Sequence, residues 1–172
     1  YSVKYIPNFI SIENYTFKKR NRLGHNILWV RSFHEIYNPK MAICVLKELI
    51  YIYPDAALCM VGPDKDGSME SCRILAKELG VLDKVTFTKL LSKKEWIELS
   101  SHYDIFINTT NFDNHPVSVI EAMALGFPIV STNAGGLKHL HTDKQDALLV
   151  EKNDVNSMVE SINSVLKDST LA

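Results

Sequence analysis

The sequence predicts an α/β fold, a doubly wound parallel sheet of about six strands flanked by helices, and three observations predict it. Strand-length apolar runs alternate with helix-length amphipathic stretches about six times along the chain. Residues 104–136 read as strand, loop, helix, strand and glycine loop, with both loops at one edge of the sheet. At 172 residues, with 46% hydrophobic and 23% charged side chains, the chain has the length and composition of one domain with its own core.

Residues 1–25 are mixed and weakly periodic. Pro7-Asn8 marks a turn, and Lys18 to Arg22 reads as a solvated basic segment. Ile27 to Val30 is the first strand run. Asn38-Pro39 then opens a helix, with Asn as N-cap and Pro at the first position, and Met41, Val45, Leu46, Leu49 and Ile50 form its apolar stripe. Ala57 to Val61 is the second strand and Gly62-Pro63-Asp64 the loop after it. The following helix runs to about Leu79 with Ile74, Leu75 and Leu79 inward.

Lys84 to Thr88 is the third strand run. Ser92-x-x-Glu95 is a capping box for a helix carrying Trp96, Ile97 and Leu99. Ala147 to Val150 is the last strand. Asp154 caps a final helix with Val155, Met158, Val159, Ile162, Val165 and Leu166 on one face.

The central unit begins with the apolar run Asp104 to Asn108. Pro116 suits the first turn of a helix, Val117, Ile120, Met123 and Ala124 recur at helical spacing, and Gly126 fits the left-handed residue that ends it. Pro128 to Thr132 reads as a strand, left through Gly135-Gly136. In open α/β sheets ligands bind at the carboxyl ends of the strands, and a helix start offers free N–H groups and positive partial charge to phosphate. Asp113 and Glu121 bracket the start of this helix, separated by seven residues. They either flank a phosphorylated ligand or serve plainly as a turn residue and a solvated helix carboxylate.

Several function classes are excluded. A formal charge of −1 gives no reason to expect nucleic acid. No apolar run reaches the roughly 18 residues of a membrane-spanning helix. No secretory leader is visible and the chain opens on Tyr1, which points to a fragment of a longer protein. Cys44, Cys59 and Cys72 lack metal-ligand spacing and read as buried thiols in a reducing compartment, and nothing completes a ligand set around His139 and His141. The dinucleotide, P-loop and nucleophile-elbow motifs are all missing. Arg31-Ser32-Phe33 follows the first strand where a glycine fingerprint would stand.

The run D-N-H-P-V-S-V-I-E-A-M-A-L-G-F-P-I-V-S-T-N-A-G-G, Asp113 to Gly136, resembles the signature of the retaining glycosyltransferases of family 4 (group 1). In these GT-B enzymes the motif is an acid, seven residues, Glu-Ala-Met-Ala, a Gly-x-Pro turn and a Gly-Gly loop. Ile6-Pro7-Asn8, Tyr53 to Ala56, Val61-Gly62, Leu79-Gly80, Val85 to Phe87 and Leu148 to Val150 follow in the family's order. The resemblance covers nearly the whole chain but only the family's carboxy-terminal half. It implies residues 1–25 as the crossing between halves and 26–172 as a Rossmann-like nucleotide-sugar donor domain.

What the resemblance implies is transfer of a sugar from a nucleotide-diphosphate sugar to an acceptor such as a glycan or lipid-linked saccharide, with anomeric configuration retained. The acceptor site and any membrane contact would lie in the missing half, the location would be cytoplasmic, and no metal cofactor is expected. Carried over by position, Glu121 would accept from the ribose hydroxyls, Asp113 would sit beside the transferred sugar, and the Val117 and Ser118 amides would hold the distal phosphate. Arg31 is the expected phosphate contact, with a strand-end charge in solvent as its plain alternative. Asn114, His115 and Pro116 shape the loop or touch the sugar, and Gly62, Gly135 and Gly136 either turn the chain or admit ligand closely.

The chain departs from the family in three places. Asp113 replaces the usual Glu. Arg31 lies one position early, with Tyr37-Asn38 where a Lys-Gly is usual and Lys40 as the nearest lysine. Lys89 replaces a glycine near the expected nucleobase. A fragment of this kind is expected to bind nucleotide and transfer nothing by itself. A non-catalytic sugar-nucleotide or partner-binding module, and an epimerase or phosphorylase on the same architecture, are the alternatives.

Overall fold

In the computed structural model, which describes residues 8–20, 22–137 and 146–168, six strands pair in parallel in the order β3-β2-β1-β4-β5-β6. They are β1 (Asn26–Val30), β2 (Ala57–Val61), β3 (Val85–Phe87), β4 (Ile105–Asn108), β5 (Ile129–Thr132) and β6 (Leu148–Val150). Five α-helices are described: α1 (Pro39–Ile52), α2 (Ser68–Glu78), α3 (Lys93–Ser100), α4 (Val117–Ala124) and α5 (Val155–Lys167). The predicted α/β class is therefore the observed one. After β1 the chain builds outward through β2 and β3, then returns to the other side of β1 with β4, so the order reverses between β1 and β4. Loops leaving those two strands diverge, and that leaves a crevice at their carboxyl ends.

Alternation along the strands sorts side chains into two cores. Ile27, Trp29, Leu58, Met60, Ile105, Ile107 and Val130 pack with α1, α2 and α5 on one face. Leu28, Cys59, Val61, Phe106 and Ile129 pack with Trp96 of α3, with Val119, Ala122 and Leu125 of and after α4, and with Tyr15 on the other. Helices cover both faces, so the middles of β1, β2, β4 and β5 are apolar on both sides and show no period-two pattern, with polar residues only at strand ends such as Asn108, Ser131 and Thr132.

The capping box at Ser92 and Glu95 forms, and Asp154 caps α5 by accepting from Ser157 N at 2.9 Å. Gly126 takes φ +73, the left-handed residue predicted for it. Of the three thiols expected to be buried, Cys59 and Cys72 are and Cys44 is half-buried, and desolvation pushes Cys72 up to about 12. Among the described residues no helix is long and apolar enough to cross a membrane.

Four local expectations change. Ile74 is 52% exposed, because α2 turns Cys72 and Ala76 to the core and a residue two positions from each lies on the far side. Asn38 does sit before α1, but in the left-handed region at φ 47, and its amide donates to Asn153 Oδ1 at 2.8 Å instead of capping. Pro116 is the N-cap of α4, one position earlier than expected, and the buried face of that helix is Ser118, Val119, Glu121 and Ala122. The expected stripe of Val117, Ile120, Met123 and Ala124 is only half-buried.

The fourth is the basic segment, which is not uniformly solvated. Arg20 is 8% exposed, its guanidinium 3.6 Å from the Phe127 ring centroid. It donates to the carbonyls of Leu125 at 2.8 Å, Lys18 at 3.2 Å and Tyr103 at 3.4 Å. Leu125 is the C-cap of α4, so a cation sits where the helix dipole is negative. Arg20→Ala should therefore cost on the order of 2 kcal/mol in unfolding free energy, while Lys19→Ala, at an exposed position, should be silent. Urea unfolding followed by circular dichroism checks both, and equal midpoints would contradict the assignment.

Candidate functional site

The head of α4 lies at the carboxyl edge of the sheet, beside the β1/β4 reversal. Its first amides have no acceptor within their own helix. A cavity of about 550 Å³ opens there, walled by Arg31, Tyr37, Asp113, Asn114, His115 and Val117 among others. A second, of about 270 Å³, shares Arg31 and Tyr37 with the first and extends over Gly62, Leu90, Leu91, Trp96 and Ser118. The two meet at one wall, one on either side of the helix start.

Arg31 and Asp113 form an ion pair across this edge, from the end of β1 to the loop after β4. The Arg31 guanidinium also lies 4.2 Å from the centroid of the Tyr37 ring. Arg31 Nε and His115 Nδ1 are buried without a hydrogen-bond partner among the described residues, and both residues line the larger cavity. Leaving such atoms unpaired is costly, so their concentration beside a polar cavity marks a place built to receive polar groups. Asp113 also serves the turn, its Oδ1 accepting from His115 N at 3.1 Å. It is neither a free carboxylate nor a mere turn residue.

The glycines are needed for close approach of backbone to backbone. A Cβ on Gly62 would collide with the Arg31 carbonyl oxygen, one on Gly135 with the Asp113 carbonyl and one on Gly136 with the Asn114 carbonyl. Gly136 N donates to Asp113 O at 2.8 Å, so the glycine loop after β5 holds the Asp113 loop from behind. Beneath both loops a buried polar row completes the support. Trp29 Nε1 donates to Thr109 Oγ1 at 3.0 Å, and Thr109 Oγ1 lies 2.9 Å from Asn38 O and 3.1 Å from Tyr37 O. Thr132 Oγ1 donates to Thr110 O at 2.6 Å.

Glu121 is 5% exposed, which removes the reading of a solvated helix carboxylate. It is not among the residues lining the two cavities. Its Oε1 accepts from Tyr15 Oη at 2.6 Å and from Lys93 Nζ at 2.6 Å. Burial, then the bond to Glu121, raises the Tyr15 phenol, while the bonds to Glu121 and Tyr15 raise the Lys93 ammonium. At neutral pH both are therefore donors, and Glu121 is the acceptor between them.

The structure thus gathers Arg31, Asp113, Asn114, His115 and Val117 around the larger cavity and brings Arg31, Gly62 and Ser118 to the smaller. Lys40 instead lines a third, separate cavity of about 460 Å³ with Glu35, Asp66 and Asn153. Tyr15 and Lys93 escaped sequence reasoning, because each reaches Glu121 from an element remote in sequence and neither stands in the family motif, while Tyr37, noted only as a departure at the usual Lys-Gly, proves to flank Arg31. Among the described residues no group of three or more His, Cys, Asp or Glu side chains could hold a metal ion. His139 and His141 lie outside the described residues.

A family model described as glycosyl transferases group 1 matches residues 12–172. An uncharacterized glycosyltransferase of Haemophilus influenzae is 31% identical over 170 residues, covering 95% of this chain and 47% of the relative. A D-inositol 3-phosphate glycosyltransferase of Corynebacterium urealyticum is 26% identical, covering 81% of this chain and 34% of its own length. The chain thus spans about half or less of the length of these curated relatives. Among solved structures, Anabaena HepE in complex with UDP and glucose superposes with a TM-score of 0.78 at 18% identity, over 86% of this chain and 40% of that one. That likeness is one of fold.

Gly136→Ala should push the Asn114 carbonyl away and with it the Asp113 loop. We expect a loss of roughly 2 kcal/mol or more in stability, and faster amide hydrogen exchange confined to the loops around 111–117 and 133–137. Unchanged exchange in both loops would show that the close approach carries no weight.

Proposed function

Because this chain belongs to the group 1 glycosyl transferases, we propose that it is the donor-binding half of a retaining, family 4 enzyme. The full protein would move a sugar from a nucleotide-diphosphate sugar to a glycan or lipid-linked acceptor held by its other half. The observation that carries this reading is that Arg31 and His115, whose buried Nε and Nδ1 lack partners among the described residues, both line a cavity at the head of α4. A phosphorylated sugar supplies both needs: phosphate oxygens for a guanidinium and helix amides, hydroxyls for an imidazole.

In this reading the amides of Val117 and Ser118 and the Arg31 guanidinium hold the diphosphate. Asp113, Asn114 and His115 face the sugar, with Pro116 and Gly135-Gly136 setting the loop. The base lies over Gly62 in the smaller cavity, against Leu91 and Trp96, and the ribose reaches Glu121 on its Lys93 side, where that lysine is 56% exposed. The bond between the sugar's anomeric carbon and the diphosphate oxygen breaks, a new one forms to an acceptor hydroxyl, and that hydroxyl's proton passes to the leaving diphosphate oxygen. Negative charge grows on the leaving diphosphate, where fixed amides and Arg31 stabilise it most in the transition state. We propose that no metal is required for this, so activity of the full-length protein should survive chelation by EDTA.

A second reading is a non-catalytic nucleotide-sugar module. The observation favouring it is that Asp113 and Glu121 already hold cations, Arg31 and Lys93. Isothermal titration of UDP, GDP, ADP and CDP into the chain tests binding. One of them should saturate, and Arg31→Ala should weaken it at least about tenfold. In the full-length protein Glu121→Ala and Arg31→Ala should abolish transfer, whereas a wild type that binds a nucleotide and transfers nothing, with both variants indistinguishable from it, would leave only the module. Product analysis by NMR should find the donor's anomeric configuration retained.

A further inference from the structure

We propose that Tyr15 and Lys93 are positioning residues for the nucleotide: together they pin the Glu121 carboxylate in the orientation that receives the ribose hydroxyls. This rests on the reading of Glu121 as the ribose acceptor and adds two residues that no motif contains. Both donors converge on one oxygen, Oε1, at 2.6 Å each, and they come from different elements, with Lys93 Nζ also 5.9 Å from the Tyr15 ring centroid. Tyr15 comes from the segment before β1, and Lys93 is the first residue of α3. A glutamate has three rotatable bonds. Two charge-assisted anchors on one oxygen remove most of that freedom before ligand arrives, so binding no longer bears the cost of ordering it.

The surroundings favour a built support over a chance contact. Tyr15 is 7% exposed and sits in the core with Val119 and Ala122, so its hydroxyl has little freedom to turn elsewhere. The segment carrying it tracks α4 from end to end. Asn8 Nδ2 donates to His115 O at 2.7 Å near the helix head, Tyr15 meets Glu121 at its middle, and Lys18 N donates to Leu125 O at 3.2 Å at its tail. Gly126 permits the last contact, since a Cβ there would strike Lys18 O and the Phe17 ring. Lys93 differs in being 56% exposed, so solvent and an incoming hydroxyl can reach the carboxylate from its side while the lysine stays bound.

The test compares the tightest binder among UDP, GDP, ADP and CDP with its 2′-deoxy and 3′-deoxy counterparts, by calorimetry on the chain. A site that hydrogen-bonds a hydroxyl discriminates against the analogue lacking it. Wild type should prefer the ribonucleotide by about tenfold or more, and Glu121→Ala should erase that preference. Tyr15→Phe and Lys93→Met should each shrink it several-fold while leaving affinity for inorganic pyrophosphate unchanged, a pattern that general destabilisation would not produce. Wild-type discrimination that survives intact in both variants would overturn the proposal and leave the ribose reading standing. An absence of discrimination in wild type would sink both. Tighter ribonucleotide binding by Tyr15→Phe would also overturn it, marking Tyr15 as an obstacle to ribose.

Discussion

The Arg31–Asp113 ion pair spans the one place in this sheet where the winding changes direction. The chain leaving β1 turns toward β2 and the chain leaving β4 turns toward β5, so their loops separate and a crevice is unavoidable. A cation at the end of one strand and a carboxylate in the loop of the other bridge the gap. Each partner is further restrained, Arg31 by the Tyr37 ring and Asp113 by Gly136 and by its own turn to His115. A half-buried pair of this kind contributes little net stability, because desolvation offsets much of its attraction. Its effect is on geometry, since it fixes where two diverging loops stand relative to each other.

Helix α4 depends on the same logic from the other side. At eight residues, Val117–Ala124, it is too short to persist by propensity alone. It is held by the sheet beneath and by residues 8–20 alongside, with Arg20 on its terminal carbonyl. The amides at its head and Glu121 on its buried face are thus placed by tertiary contacts. A helix with a free outer face would orient both groups less well, and preorganised donors are the ones that stabilise developing charge.

The polar row below the loops explains why the edge tolerates buried side chains that an apolar core would reject. Thr109, Thr110, Ser131 and Thr132 are fully buried at the ends of β4 and β5. Each hydroxyl of Thr109, Thr110 and Thr132 meets a carbonyl of the loops above, so burial costs are met and the loops acquire fixed anchor points.

Most of the fold was legible in the amino-acid order, because strand-length apolar runs, caps and left-handed glycines act over a few residues. All six strands, the capping box at Ser92, the Asp154 cap and the Gly126 terminator could be read that way, as could the edge at which Asp113, Val117 and Gly136 meet. Legibility ended where the outcome depended on a partner far along the chain. Nothing local to Arg20 announces the Phe127 ring, and nothing local to Glu121 announces Tyr15 and Lys93. Ile74 faces water because the neighbouring helix claims the other side of α2. Local rules follow from backbone geometry and hold wherever the residues occur. Which polar groups lose water, and against which partners, is decided only when segments separated by a hundred residues pack together.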